Sequence, residues 1–215
     1  MTFNLEHDLR QQLCDTAMKL VEQGLNHGAS GNCSARSGNG FLITPSGRLP
    51  EDCTPQDMVQ MTLDGEVVGA GKPSSEWRFH RDILAARPEV EAVIHTHAIH
   101  ATALACLRQC IPPFHYMVAL AGGTDIRCAP YALFGSQALS DAALEALQGR
   151  KACLLANHGV ICLGADLTQA LSLAVEVESL AEAYLLALKA GEPVLLSPGE
   201  MDEVLERFKT YGAGR

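Results

Sequence analysis

Several patterns that would settle a protein's class at a glance are missing here. The eight cysteines (Cys14, Cys33, Cys53, Cys106, Cys110, Cys128, Cys153 and Cys162) include no Cys-x-x-Cys pair, which removes zinc-ribbon and thioredoxin-like readings. No apolar run approaches the roughly 20 residues that a spanning helix needs. The best stretch, Leu180 to Ala190, is broken by Glu182 and Lys189, so no membrane segment is expected. There is no Lys/Arg-rich run, and 16 basic against 25 acidic residues leave a net charge of −9. Such a chain repels polyanions, so nucleic acid is not an expected partner. The opening MTFNLEHDLRQQL carries charges where a signal peptide has an apolar stretch. A cytoplasmic location and reduced, mostly buried thiols are therefore expected.

What is present suits a folded enzyme-sized unit. With 215 residues, 47% of them hydrophobic, the chain can bury a sizeable core, and 1–215 reads as a single domain without repeats or linkers. Leu9, Leu13, Ala17, Leu20 and Val21 recur at helical spacing, predicting a helix from Leu5 to about His27 with Gly28 as its stop. Short β-prone segments follow: Asn32–Arg36 and Phe41–Thr44 around a Ser37-Gly38-Asn39-Gly40 turn, then Val59–Leu63 and Glu66–Val68 around Asp64-Gly65. Ser74-Ser75 introduces a capped helix over Trp77–Ala86. Ala92–Ile94 reads as a strand, Ala98–Leu107 and Leu139–Leu147 as helices. Ala152–Leu155 and Val160–Leu163 read as strands, Leu167–Ala190 as a long helix, and Glu200–Phe208 as a short one. Tight hairpins between neighbours predict an α/β fold whose central sheet is largely antiparallel, flanked by helices, because parallel neighbours need longer crossovers.

Chemistry concentrates in the histidines. In extended backbone, residues two apart share a face, so His95 and His97 present imidazoles side by side. That pattern alone is equally compatible with surface or core histidines. His158 sits in a tight strand–turn–strand beside Gly159, and Glu76 stands at the start of a helix. Three imidazoles and a displaceable carboxylate make the ligand set of a catalytic zinc site. Taken singly, Glu76 is equally a helix N-terminal acid complementing the dipole, His158 a satisfied turn residue, and His80 and His100 packed or solvated helix residues. Small polar clusters, Gly28-Ala29-Ser30-Gly31-Asn32, Thr44-Pro45-Ser46-Gly47 and Ser74-Ser75, offer backbone and hydroxyl donors suited to a phosphate, although each alone is an ordinary turn or cap.

The strings LNHGASGNCSAR, FLITPSG, KPSSEWRFHRDIL, AVIHTHAIHATAL, IPPFHYM, GGTDIRCAPYALFG, LLANHG and FKTYG occur in the order, and near the spacing, of one family. Over almost its whole length the chain resembles the class II, zinc-dependent aldolases of the L-fuculose-1-phosphate aldolase type. The resemblance implies one Zn2+ per subunit held by His95, His97 and His158, with Glu76 as the ligand that leaves when substrate arrives. It implies phosphate binding by Asn32, Ser46, Gly47, Ser74 and Ser75. It assigns catalytic parts to Glu76, to Tyr116 reaching into a neighbouring subunit's site, and to Tyr211 near the same cleft. It further implies a homotetramer with sites between subunits. The expected reaction is reversible cleavage of a ketose 1-phosphate to dihydroxyacetone phosphate and a short aldehyde. L-Fuculose 1-phosphate, 5-deoxyribulose 1-phosphate and 5-methylthioribulose 1-phosphate are the candidate substrates. A sugar-phosphate 4-epimerase, a methylthioribulose-1-phosphate dehydratase and a non-catalytic adducin-like scaffold are the alternatives on the same fold. Asn157 departs from the fuculose-type pattern, which has a second histidine there, and the departure bears on the aldehyde.

Overall fold

The computed structural model describes the backbone of residues 2–210 and the side chains of residues 7–210. Its centre is one eight-stranded sheet: β1 (Asn32–Ser37), β2 (Gly40–Ile43), β3 (Val59–Thr62), β4 (Val67–Val68), β5 (Ala92–Thr96), β6 (Arg127–Ala129), β7 (Ala152–Leu155) and β8 (Gly159–Gly164). The spatial order is β4-β3-β2-β1-β5-β8-β7-β6. Every pairing is antiparallel except β6 on β7. That edge strand is absent from the sequence-based expectation because three residues are too few to show an alternating pattern.

Among the described residues six α-helices cover the sheet: α1 (Thr2–Glu22), α2 (Trp77–Ala86), α3 (Ile99–Cys106), α4 (Gln137–Ala146), α5 (Leu167–Ala190) and α6 (Pro198–Thr210). Alternation along each strand sorts the side chains between two cores. Cys33, Ile94, Leu154 and Cys162 pack with α1, α3 and α5. Val93, Cys153, Ile161 and Leu163 face the other way, with Phe79 and Ile83 of α2 and Leu139 and Ala143 of α4. None of the described helices is long and apolar enough to cross a membrane. All eight cysteines are free, and burial pushes the thiols of Cys33, Cys153 and Cys162 well up, so they behave as small core residues.

Most helix ends lie within about three residues of expectation, and the end of the first helix and the role of Glu76 at the start of α2 differ more. The first helix ends at Glu22 rather than near His27, because the Leu25 N–H turns back to the Leu20 carbonyl at 2.8 Å and Gly24 takes a left-handed φ of +71°. The reversing glycine is therefore Gly24 and not Gly28. At the start of α2, Glu76 occupies the N-cap position rather than the first turn, and its side chain makes no capping bond. Ser74 Oγ instead accepts from the Glu76 N–H at 3.3 Å, which leaves the carboxylate available elsewhere. Two further contacts hold the segments on which histidines lie. The Glu178 carboxylate of α5 accepts from the N–H groups of His100 and Ala101, both at 2.9 Å, anchoring the start of α3 directly after His97. Phe79 is fully buried, stacks on His80 at 4.6 Å between ring centroids and meets the His95 ring edge-on at 5.5 Å.

Phe79→Ala should therefore lower stability by about 3–5 kcal/mol. Urea unfolding followed by circular dichroism would show the midpoint fall; an unchanged midpoint would mean that this ring is not a packing centre.

Candidate metal centre

β5 ends in His95-Thr96 with His97 the next residue, and β8 begins at Gly159, immediately after His158. The strands are adjacent and antiparallel, with Thr96 paired to Val160 and His95 to Ile161. Adjacent antiparallel strands bring the end of one to the start of the other, so a sequence separation of more than 60 residues becomes ring contact. The ring centroids of His95, His97 and His158 lie 4.8–5.1 Å apart in pairs, each pair edge-on. Their nearest nitrogens all fall within 4.8 Å of one another. A tight approach at Gly159 makes this feasible. A Cβ there would stand 2.3 Å from the Thr96 carbonyl and 2.9 Å from the His97 ring.

Each ligand is aimed from behind. The His95 Nδ1 donates to the Val160 carbonyl at 3.0 Å, which leaves Nε2 with its lone pair toward the cluster. The His97 backbone N–H donates to Asn26 Oδ1 at 3.0 Å, and Asn26 is buried. Glu76 reaches in from α2: Oε2 is 3.2 Å from His95 Nε2 and Oε1 is 3.2 Å from His158 Nε2. Asn32 Nδ2 donates to Glu76 Oε2 at 3.0 Å.

Burial alone would raise the Glu76 carboxyl, but His95, and after it His158 and the Asn32 amide, hold it well below the usual carboxylate range. Burial, reinforced by His95, lowers both His97 and His158 to about 4, so each offers a neutral imidazole near pH 7. The His95 and His97 Nε2 atoms stand 3.0 Å apart, and Glu76 Oε1 is buried without a hydrogen-bond partner. A carboxylate and three imidazoles converging at these distances draw in positive charge. Two tetrahedral ligands each 2.0–2.1 Å from one zinc ion are about 3.3 Å apart, close to the spacings found here. The residues thus fit a divalent metal, three imidazoles and one carboxylate, with no thiolate in the set.

The cluster forms one wall of a cleft of about 360 Å³. Asn32, Ser46, Gly47, Ser74, Ser75 and Glu76 line it, together with His97 and His158. Their loops are tied side by side, since the Ser46 N–H donates to the Lys72 carbonyl and the Ser74 N–H to the Thr44 carbonyl, both at 3.0 Å. No lysine or arginine is among the described residues facing this space. The Asn32 amide has a second engagement, its Oδ1 lying 2.5 Å from His80 Nε2. His95 sits fully buried behind the wall.

Tyr116 is not brought to this cleft. It begins a 3-10 helix over Tyr116–Ala121, is half exposed, and lines a separate groove with Phe208 of α6. Tyr211 lies outside the described residues. Sequence reasoning did not single out Tyr131 and Phe134, which face the cleft. They stood inside a recognised string, GGTDIRCAPYALFG, but no spacing argument distinguishes two aromatic loop residues from packing residues.

The fold and the ligand cluster together define a metal-dependent class of protein, and comparison gives that class its name. The family model for the Class II Aldolase and Adducin N-terminal domain matches residues 11–185, and the chain belongs to this family. Among its relatives is a 5-methylthioribulose-1-phosphate/5-deoxyribulose-1-phosphate aldolase of Rhodospirillum rubrum, 57% identical over 95% of this chain and 92% of that protein. An L-fuculose phosphate aldolase of Escherichia coli strain K12 is 47% identical over 95% of both chains. The solved structure of an L-fuculose 1-phosphate aldolase superposes with a TM-score of 0.91 at 42% identity, covering 94% of this chain and 96% of that one.

Gly159→Ala should dismantle the cluster locally, because the added methyl meets backbone rather than a flexible side chain. The expected result is loss of tight zinc binding by direct metal analysis, with a destabilisation of about 1–3 kcal/mol. Undiminished zinc content would show that the close approach is not needed.

Proposed function

We propose that this chain, a sugar-phosphate aldolase and therefore an aldehyde-lyase, works as a zinc-loaded homotetramer in the cytoplasm and splits 5-substituted 5-deoxyribulose 1-phosphates. The products would be dihydroxyacetone phosphate and a short aldehyde. One observation carries the reading: three histidines and a buried carboxylate stand beside a hydroxyl-lined cleft. The relative at 57% identity supports the ribulose-type substrate over fuculose 1-phosphate, the substrate type named for the relative at 47%. The epimerase, dehydratase and scaffold alternatives have no comparable support.

Cleaving the C3–C4 bond leaves an electron pair that water alone cannot stabilise. Bound by His95, His97, His158 and Glu76, a divalent cation supplies Lewis acidity that shares this charge. The chain's own residues do the rest. Ser46, Ser74 and Ser75, at and near the N-terminal end of α2, hold the phosphate, with the helix dipole and hydroxyls in place of a cationic side chain. Gly47 leaves room for the phosphate to approach the backbone, and Asn32 adds an amide beside it. Anchoring this remote group orients the reacting carbons before reaction. Glu76 moves the proton at C3, for which its low-lying carboxyl keeps it a base near neutrality. Tyr116 of a neighbouring copy moves the proton at the C4 oxygen, and Tyr211 keeps the assisting role that the family resemblance implies. Two features support assembly of copies: Tyr116 faces away from its own chain's cleft, and Leu133 and Phe134 are each more than 60% exposed.

A chelator-stripped enzyme should be inactive and recover with about one zinc per chain; turnover with metal verified absent would overturn the metal assignment. Glu76→Gln should slow exchange of the C3 proton of dihydroxyacetone phosphate by roughly 100-fold or more while zinc stays bound. In a coupled assay for released dihydroxyacetone phosphate, kcat/KM should be higher for 5-deoxyribulose and 5-methylthioribulose 1-phosphates than for fuculose 1-phosphate. The reverse order would reassign the substrate.

A further inference from the structure

Behind the carboxylate lies a buried polar chain whose two outer members, Ser34 and His80, have no task in the catalytic or the phosphate reading. Asn32 and Ser34 are two residues apart on β1, so both face α2, while Cys33 between them faces the opposite core. Glu76 and His80 are four apart at the start of α2, so they lie on one side of that helix. The two pairs meet. Ser34 Oγ is 2.7 Å from His80 Nδ1, His80 Nε2 is 2.5 Å from Asn32 Oδ1, and Asn32 Nδ2 is 3.0 Å from Glu76 Oε2. Ser34 and His80 are fully buried, and Asn32 is only 7% exposed.

The directions of these bonds follow from one end. An ionised carboxylate only accepts, so the Asn32 amide must turn its N–H side to Glu76. Its oxygen then faces His80, whose Nε2 must carry the proton. A neutral imidazole with a protonated Nε2 accepts at Nδ1, and the Ser34 hydroxyl donates there. Burial lowers His80 to about 3, in keeping with the neutral ring. Without His80 only the carboxylate holds the amide, whose oxygen is then buried without a donor, so the side chain is no longer fixed in this position.

We propose that His80, backed by Ser34, is a positioning residue that locks the Asn32 amide donor-side toward Glu76 and thereby fixes the carboxylate at the metal centre. The proposal rests on the metal-aldolase reading above for its consequence, though not for its geometry. Outer-shell partners of this kind are worth about 10–100-fold in metal affinity or activity.

The test uses the full-length chain with cobalt in place of zinc, because the visible absorption of cobalt reports its ligand geometry. His80→Phe keeps a ring but removes both nitrogens, His80→Gln restores an N–H donor near Nε2, and Ser34→Ala removes only the last hydroxyl. With folding checked by circular dichroism, His80→Phe should alter the cobalt bands and weaken metal binding about 10-fold or more in competition with a chelator. It should also lower kcat for proton exchange in dihydroxyacetone phosphate about 10-fold or more, with KM changed less than about threefold. His80→Gln should recover most of each loss. Unchanged cobalt bands and affinity in folded His80→Phe would overturn the proposal, as would a Gln variant no better than Phe. If His80→Phe does not fold, Ser34→Ala decides: it should shift the cobalt bands, and a parental spectrum with parental exchange would overturn the lock. Should the unaltered enzyme release no dihydroxyacetone phosphate from any ketose 1-phosphate, the aldolase reading fails. The cobalt spectra would still judge the lock.

Discussion

Groups that would repel one another are gathered at one point, and the rest of the site is arranged around that fact. Ring nitrogens of His95, His97 and His158 and both oxygens of Glu76 converge with separations of 3.0–3.2 Å where they are closest. Left to itself the cluster would spread, since buried polar groups with more acceptors than donors are costly to hold together. The sheet prevents this. Backbone hydrogen bonds between β5 and β8 fix the two strand ends, the Val160 carbonyl holds the His95 ring, and Asn26 holds the His97 backbone. The fold thus maintains an arrangement that favours a positive charge, which is what a metal-binding site requires of its scaffold.

The two faces of the sheet divide the work. The face under α1, α3 and α5 is almost wholly apolar and serves as the larger core. The opposite face carries apolar packing around Phe79, Ile83 and Ile161, and at one end it carries Asn32, Ser34, His80 and His95. Placing these polar groups where an apolar core is continuous nearby lowers the local dielectric and sharpens every charge interaction. It also obliges each buried polar atom to find a partner, and nearly all do. Glu76 Oε1 is the exception that faces the cluster. A carboxylate with one oxygen held by Asn32 and the other unpartnered is restrained yet able to exchange partners, as a ligand that doubles as a base must be.

Much of this was legible beforehand, for identifiable reasons. The range Trp77–Ala86 was readable to the residue because serines before it and a proline beyond it punctuate a clear apolar period. The hairpins were readable because glycine turns bound them. The H-x-H pair was readable because a two-residue period needs no tertiary knowledge. Other features were not. The strand Arg127–Ala129 has no pattern of its own and exists because β7 offers it an edge. The end of the first helix depended on which of two nearby glycines, Gly24 or Gly28, the backbone used to reverse. Glu76 as the cap residue with a free carboxylate, rather than a first-turn acid, depended on the position of Ser74. His80 looked like a packed helix residue and is one, but its partners lie 46 and 48 positions away.

By itself the sequence determined the kinds of ligand, their local periodicity and the absence of thiolate from the set, because those depend on residue identity and on spacings of two to four. Tertiary structure alone decided that His158 joins His95 and His97, that Glu76 points inward, and that Asn32 faces a carboxylate on one side and an imidazole on the other. Those are consequences of strand order and of the packing of α2 against β1. Contacts made across dozens of residues are set by the summed pairing and burial of the whole sheet, and no local pattern carries that sum.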